Sequence, residues 1–138
     1  MKIKVMLDDV AFMPERAHEA DAGYDLRSPV KTRIYAGQSF TIDTGVHVQI
    51  PKGYVGMLKS KSGLNVKHDI VGEGVIDSGY TGSIRVKLYN HGNESYMVEK
   101  GDKISQIVFM PIIAPELEEV DSLDETERGD NGFGSTGK

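Results

Sequence analysis

Apolar and polar residues alternate with a period of two in several stretches of the chain, the pattern of a strand with one buried face. Ile3, Val5 and Leu7 alternate with Lys2, Lys4 and Met6; Phe40 and Ile42 precede Val46, Val48 and Ile50; Ile84, Val86 and Leu88 alternate with Arg85, Lys87 and Tyr89. Shorter strands are expected at Tyr54 to Leu58, Ser95 to Val98 and Ile104 to Met110, with turn formers such as Asn90-His91-Gly92-Asn93 and Lys100-Gly101-Asp102 between them. Strands recurring about every 8–12 residues favour an antiparallel sandwich or barrel. One short helix is expected after Ser62-Gly63, where Leu64, Val66 and Lys67 can form a turn or two before Asp69 and the next strand. Asp21-Ala22-Gly23-Tyr24-Asp25-Leu26 and Gly101-Asp102-Lys103-Ile104-Ser105-Gln106 read, in isolation, as turns.

Composition strengthens the β reading. Among 138 residues, 13 Val and 11 Ile outnumber 7 Leu and 6 Ala, and β-branched side chains suit a pleated surface better than a helix. The absence of cysteine excludes disulfides, thiolate metal sites and a cysteine nucleophile, and gives no reason to expect an oxidising compartment. A net charge of −5 argues against an electrostatically driven nucleic-acid binder. No apolar run is long enough for a membrane-spanning helix. The start of the chain lacks a signal-peptide pattern, so a cytoplasmic protein is expected.

The last part of the chain changes character. Glu116 to Glu127 holds seven carboxylates and no basic residue, and four of the nine residues after Arg128 are glycine. Such a segment buries too little apolar surface to offset its ordering entropy, so residues 1–115 are expected to fold as a β domain and 116–138 to form a flexible arm.

Candidate chemistry lies in four places. The tail Arg128-Gly129-Asp130-Asn131-Gly132-Phe133-Gly134-Ser135-Thr136-Gly137-Lys138 combines inward-turning amides, hydroxyls and a guanidinium, which suits a phosphate cradle, although a disordered glycine-rich end has the same composition. Gly132 to Lys138 imitates a P-loop but lacks its Ser or Thr and its strand and helix. In Gly74-Val75-Ile76-Asp77-Ser78-Gly79-Tyr80-Thr81-Gly82 a carboxylate at a strand end can act as general base, with an aromatic ring three residues on as the floor under a sugar; a plain hairpin turn is the other reading. Ser60-Lys61-Ser62-Gly63-Leu64 offers anion donors at the start of the helix. His18, His47, His68 and His91 show no metal-ligand spacing and read as surface or satisfied core histidines.

Taken in order, these stretches resemble the homotrimeric dUTPases, from Asp21 to Gly137. The motifs are Ala22-Gly23-Tyr24-Asp25-Leu26, Ser62-Gly63-Leu64, Gly74-Val75-Ile76-Asp77 with Tyr80 and Gly82, Gly101-Asp102-Lys103-Ile104 with Gln106, and Arg128-Gly129 with Gly132 to Gly137. The resemblance implies a jelly-roll-like antiparallel β subunit and three active sites per homotrimer. In each site the first, second and fourth motifs come from one chain, the third from its neighbour, and the fifth from the tail of the last. It further implies hydrolysis of dUTP to dUMP and pyrophosphate, with Asp77 activating the water and Tyr80 under the deoxyribose. Backbone around Gly74 and Arg85 would read the uracil. Lys61, Ser62, Gly63 and Gln106 would meet the phosphates, and Asp25 would help hold Mg2+ through water. Arg128, Ser135 and Thr136 would grip the γ-phosphate while Phe133, next to Gly134, stacks on the base.

Two positions depart from the family pattern. Lys61 stands where arginine is usual, keeping the charge without the bidentate fork, and Gly79 stands where an acidic residue is common. Two further readings remain beside hydrolysis. One is the related dCTP deaminase chemistry, for which Glu73 is the acidic candidate. The other is a nucleotide-gated regulatory protein on the same scaffold.

Overall fold

The computed structural model describes residues 1–134 and 136–137. Eleven strands and one helix run in the order β1 (Lys4–Leu7), β2 (Gly23–Arg27), β3 (Thr32–Ile34), β4 (Ser39–Asp43), β5 (Val46–Gln49), β6 (Tyr54–Lys59), α1 (Ser62–His68), β7 (Ile70–Val71), β8 (Gly74–Ile76), β9 (Arg85–Asn90), β10 (Tyr96–Val98) and β11 (Lys103–Pro111). Every pairing is antiparallel. The largest sheet has the order β2-β11-β6-β8, and a second has the order β4-β9-β7; β1 pairs with β5, and β3 with β10. This is the jelly-roll-like, all-β architecture with one short helix expected above. No helix among the described residues is long and apolar enough to cross a membrane.

The core is made by the inward members of the alternating strands. Leu26, Ile34, Ile42, Val46, Ile84, Val86, Leu88 and Ile107 are buried together. Removing each such side chain from water contributes about 1.5–3 kcal/mol. On β9 the alternation is complete, with Val86, Leu88 and Asn90 inside and Arg85, Lys87 and Tyr89 outside.

Two stretches that look like turns are strands. Gly23–Arg27 is β2, and Lys103 to Gln106 opens β11. In β2 both Asp25 and Leu26 are buried, so the apolar alternation is lost where the strand is covered on both faces. In β11 a register shift between Lys103 and Ser105 puts Ile104 and Ser105 inside in succession.

The helix stops where expected. Asp69 adopts a left-handed conformation (φ 54°) and its N–H donates to the Asn65 carbonyl at 3.1 Å. Past Ile112, whose N–H donates to the Gly53 carbonyl, every residue to Asn131 is exposed. A β-branched side chain is poorly tolerated at a left-handed position, by about 1–2 kcal/mol. Asp69→Val should therefore lower the urea midpoint by that amount at fixed chain concentration, whereas Asp69→Asn should leave it nearly unchanged.

Candidate functional site

Strand register builds the centre of the site. Gln106 on β11 lies opposite Asp25 on β2 and opposite Lys59 on β6, so three polar side chains form a row on one face of the large sheet. Asp25 is buried, and both its carboxylate oxygens are taken: Lys61 Nζ donates to Oδ1, and Lys103 Nζ lies 2.8 Å from Oδ2. Burial acts to raise the Asp25 pKa, but the hydrogen bonds from Lys103 and Lys61 outweigh it and hold the carboxyl below its ordinary range. Two ammonium groups on one carboxylate leave a surplus positive charge in a chain that is negative overall.

The segment from β6 into the helix is pinned from two sides. Gln106 Nε2 donates to the Ser60 carbonyl at 3.0 Å, and Ser105 Oγ donates to the Lys59 carbonyl at 3.1 Å. From the opposite side, Gly72 N–H donates to Ser60 Oγ (3.0 Å), and Ser60 Oγ lies 3.1 Å from Glu73 Oε1. Glu73 also pairs with Lys59 Nζ at 2.6 Å; that hydrogen bond holds its carboxyl below the ordinary value. The acidic candidate for a deaminase is therefore an ionised structural tether. Ser62 and Gly63 open the helix and are exposed; Lys61, at the N-cap, makes no side-chain cap bond, leaving the first-turn amides open. A Cβ at Gly63 would meet nothing within 4 Å, so the chain itself leaves that space free.

Asp77 and Tyr80 lie elsewhere. Gly74–Ile76 pairs with β6, and Asp77 follows at the Gly56 end of that strand, away from the Lys59 end. Asp25 is three strands across the sheet. At about 4.8 Å per strand this puts the two carboxylates beyond direct contact within one chain. Asp77 is exposed and makes no hydrogen bond or ion pair among the described residues. Tyr80 N–H donates to the Asp77 carbonyl (3.0 Å), and its phenol donates to the Ser83 carbonyl (2.8 Å). The ring folds flat onto the loop because position 82 is glycine, where a Cβ would come within 2.6 Å of the phenol oxygen. Gly79 has no such steric duty: a Cβ there meets nothing within 4 Å. Arg85, at the start of β9, is exposed and faces Asp43 with Nε at 3.8 Å.

The tail joins neither group. Arg128 Nε donates to the Asn131 carbonyl at 2.7 Å, Phe133 is fully exposed, and Gly134 takes a left-handed φ of 78°. Thr136 is exposed, and Ser135 lies outside the described residues. One chain thus brings Asp25, Lys61 and Gln106 together beside Ser62 and Gly63, and leaves Asp77 with Tyr80, and Arg128 with Phe133, as two separate pieces.

Sequence reasoning missed three contributors. Lys103 was visible only as part of a turn-like motif, and its partnership with Asp25 depends on the cross-strand register. Glu73 looked like a reactive acid. Gly23 carries a steric duty no pattern reveals, since a Cβ there would sit 2.1 Å from Gln106 Oε1.

An all-β subunit with a cationic row and open amides is suited to a phosphorylated ligand. The dUTPase family model matches residues 9–137, and the chain belongs to that family. It is 44% identical over 140 residues to the deoxyuridine 5'-triphosphate nucleotidohydrolase of Clostridium acetobutylicum, covering 99% of this chain and 96% of the relative. It is 45% identical to that of Mus musculus, covering 97% and 83%. A Staphylococcus bacteriophage 80alpha dUTPase solved with dUpNHpp superposes with a TM-score of 0.93 at 35% identity over 99% of both chains. The phage phi11 dUTPase, whose structure is described as revealing coordination of a structural Mg(II) ion, superposes at 0.82 with 33% identity over 88% of this chain and 98% of the other.

Gly23→Ala and Gln106→Ala should each cost about 1 kcal/mol, because each removes the Gln106 hydrogen bond to Ser60. The double variant should cost little more than either alone in urea denaturation, as expected for two changes that break one contact.

Proposed function

We propose that the chain hydrolyses dUTP to dUMP and pyrophosphate, in a homotrimer whose active sites are each completed by three chains. The observation that carries the shared-site reading is the division of the site into three pieces within one chain. Exposed apolar residues support association: Val75 is 58% exposed beside the Asp77 loop, and Ile113 and Leu117 are 89% and 93% exposed at the start of the arm. Residues 116–138 act as the arm and 1–115 as the body.

In this reading the phosphates enter the cationic row. Lys61 leaves Asp25 for the phosphates, while Lys103 stays behind on the carboxylate. Open amides of Ser62 and Gly63, with the Gln106 amide, supply the remaining donors. The chain offers one buried carboxylate there, and no group of three metal-ligating side chains exists among the described residues. That suits Mg2+, which keeps several waters and is held largely by substrate phosphates. Asp25, freed of Lys61, is the residue placed to hold it through water. When bound, the ion neutralises phosphate charge and favours departure of pyrophosphate.

The neighbouring chain brings Asp77, which takes a proton from the water as its oxygen bonds to the α-phosphorus. The bond from that phosphorus to the α–β bridging oxygen breaks, and pyrophosphate leaves in line. Tyr80 lies under the deoxyribose, where a 2′-hydroxyl would clash, and backbone at Gly74 and Arg85 reads the uracil edge. Arg128, Ser135 and Thr136 close on the γ-phosphate while Phe133 stacks on the base, with Gly134 making the turn between them; closure excludes water from the reacting centre. The activity would limit uracil entry into DNA and supply dUMP. A cysteine-free chain suits a reducing cytoplasm.

Pyrophosphate release with Mg2+ should be selective for dUTP over dTTP, dCTP and UTP. Asp77→Asn should lower kcat by about 100-fold or more while the protein still binds a dUTP analogue. Near-normal turnover by Asp77→Asn would remove it as the base.

A further inference from the structure

His47 on β5 is the one histidine whose two ring nitrogens both meet oxygens among the described residues. Nδ1 lies 2.8 Å from the Thr81 carbonyl, and Nε2 lies 3.1 Å from Asp8 Oδ1. Both partners are acceptors. A neutral imidazole carries one N–H and satisfies only one of them, turning a lone pair toward the other; the imidazolium satisfies both. Its side chain is 17% exposed, so water does not readily replace a lost partner.

The two partners belong to different parts of the molecule. Asp8 follows β1 and is fixed by its backbone, its N–H donating to the Gly45 carbonyl at 2.9 Å. Asp8 Cβ also packs over Gly45, where an added Cβ would lie 3.2 Å away. Thr81 is the residue after Tyr80, in the loop from Asp77 to Ile84. On its other flank that loop is held by the Ser83 hydroxyl, which donates to Asp43. His47 is therefore the second of two anchors that bracket the Tyr80 ring.

We propose that His47 is a positioning residue for sugar recognition: as an imidazolium it clamps Asp8 to the Thr81 carbonyl and fixes the loop that presents Tyr80 to the deoxyribose. The inference rests on the assignment of Tyr80 to the sugar in the proposed function. The groups that face the ring are Asp8 past β1 and Asp43 at the end of β4, the latter shared with Arg85 of β9; Lys4 of β1 lines the same hollow. The Thr81 carbonyl first, then the Asp8 carboxylate, raise the His47 pKa above its ordinary value against a smaller effect of burial. A raised pKa in the folded state means that the clamp is complete below the ordinary value of about 6.5 and is lost as pH climbs through the raised one.

The test uses the full chain. KM and kcat for dUTP are measured from pH 6 to 9 for the wild type, His47→Gln and Asp8→Asn, and imidazole nitrogens are titrated by long-range ¹H–¹⁵N NMR. The terminal phosphate of dUTP titrates in the same range but shifts all three proteins alike, so the variant-to-wild-type ratio isolates the histidine. We expect two ring protons on His47 at pH 6 and a lower titration midpoint in Asp8→Asn. The KM ratio of His47→Gln to wild type should be about 3–10 at pH 6 and fall toward 1 at pH 9, with kcat within twofold, because an unfixed sugar floor weakens binding more than the chemical step. A singly protonated ring at pH 6 overturns the clamp whether or not dUTP is hydrolysed, and a KM ratio near 1 at all pH values overturns the positioning role even if the clamp exists. Absence of dUTP hydrolysis in the wild type overturns the functional reading and, with it, the positioning role, while NMR separately decides the clamp.

Discussion

A carboxylate buried in a β-sheet stays ionised only when cations or donors replace its lost water. Asp25 meets this condition with two lysines from distant parts of the chain, Lys61 beyond β6 and Lys103 at the start of β11. Meeting it requires β2 and β11 to pair in one register, and β11 and β6 in another, so that Gln106 lies between Asp25 and Lys59. The same pairing brings the Gln106 amide to the Ser60 carbonyl and sets the helix start beside the row. The ion triad is held together by the sheet, and the cationic surplus it leaves is what a polyphosphate would meet in an acidic protein.

Close packing of backbone supports this arrangement at a few points. Gly23 leaves room for Gln106, and Gly72 lies so near the Lys87 carbonyl that a Cβ would approach within 2.4 Å. Gly72 also gives its N–H to Ser60 Oγ, so the hairpin of β7 and β8 and the segment before the helix are fixed to each other. The hairpin proposed to read the base and the turn proposed to hold phosphate are thus one mechanical unit. The loop carrying Tyr80 is separate, and its two anchors, Ser83 on Asp43 and Thr81 on His47, give it its own rigidity.

Legibility in the sequence followed the physics of each element. Strands with one solvated face, such as β5 and β9, announce themselves by alternation, and the helix by its position after Ser62-Gly63 and before Asp69. Strand β2 does not, because Asp25 is buried by pairing with lysines and not by apolar contact, so a charge appears where the pattern would want a hydrophobe. The motif residues were legible through family resemblance, whereas their pairing was not: the Lys61 and Lys103 contacts to Asp25 depend on a bulge and a cross-strand register that no local spacing encodes. His47 looked like an ordinary surface histidine for the same reason, since its partners are 39 residues upstream and 34 downstream. The tail was legible as a segment unable to pack on its own chain, and it is exposed throughout its described residues up to Asn131.

The central claim is that no single chain holds a complete site. Asp77→Asn and Arg128→Ala proteins, each nearly inactive alone, can be unfolded together, refolded into mixed oligomers and assayed with dUTP. In the proposed trimer a site draws its Asp77 from one chain and its Arg128 from another, so mixed oligomers contain some sites with both residues intact. Activity should return on mixing, to a fraction set by the ratio of the two chains. If mixed oligomers form and remain as inactive as their parents, base and tail arginine act within one chain, and the shared-site account is contradicted.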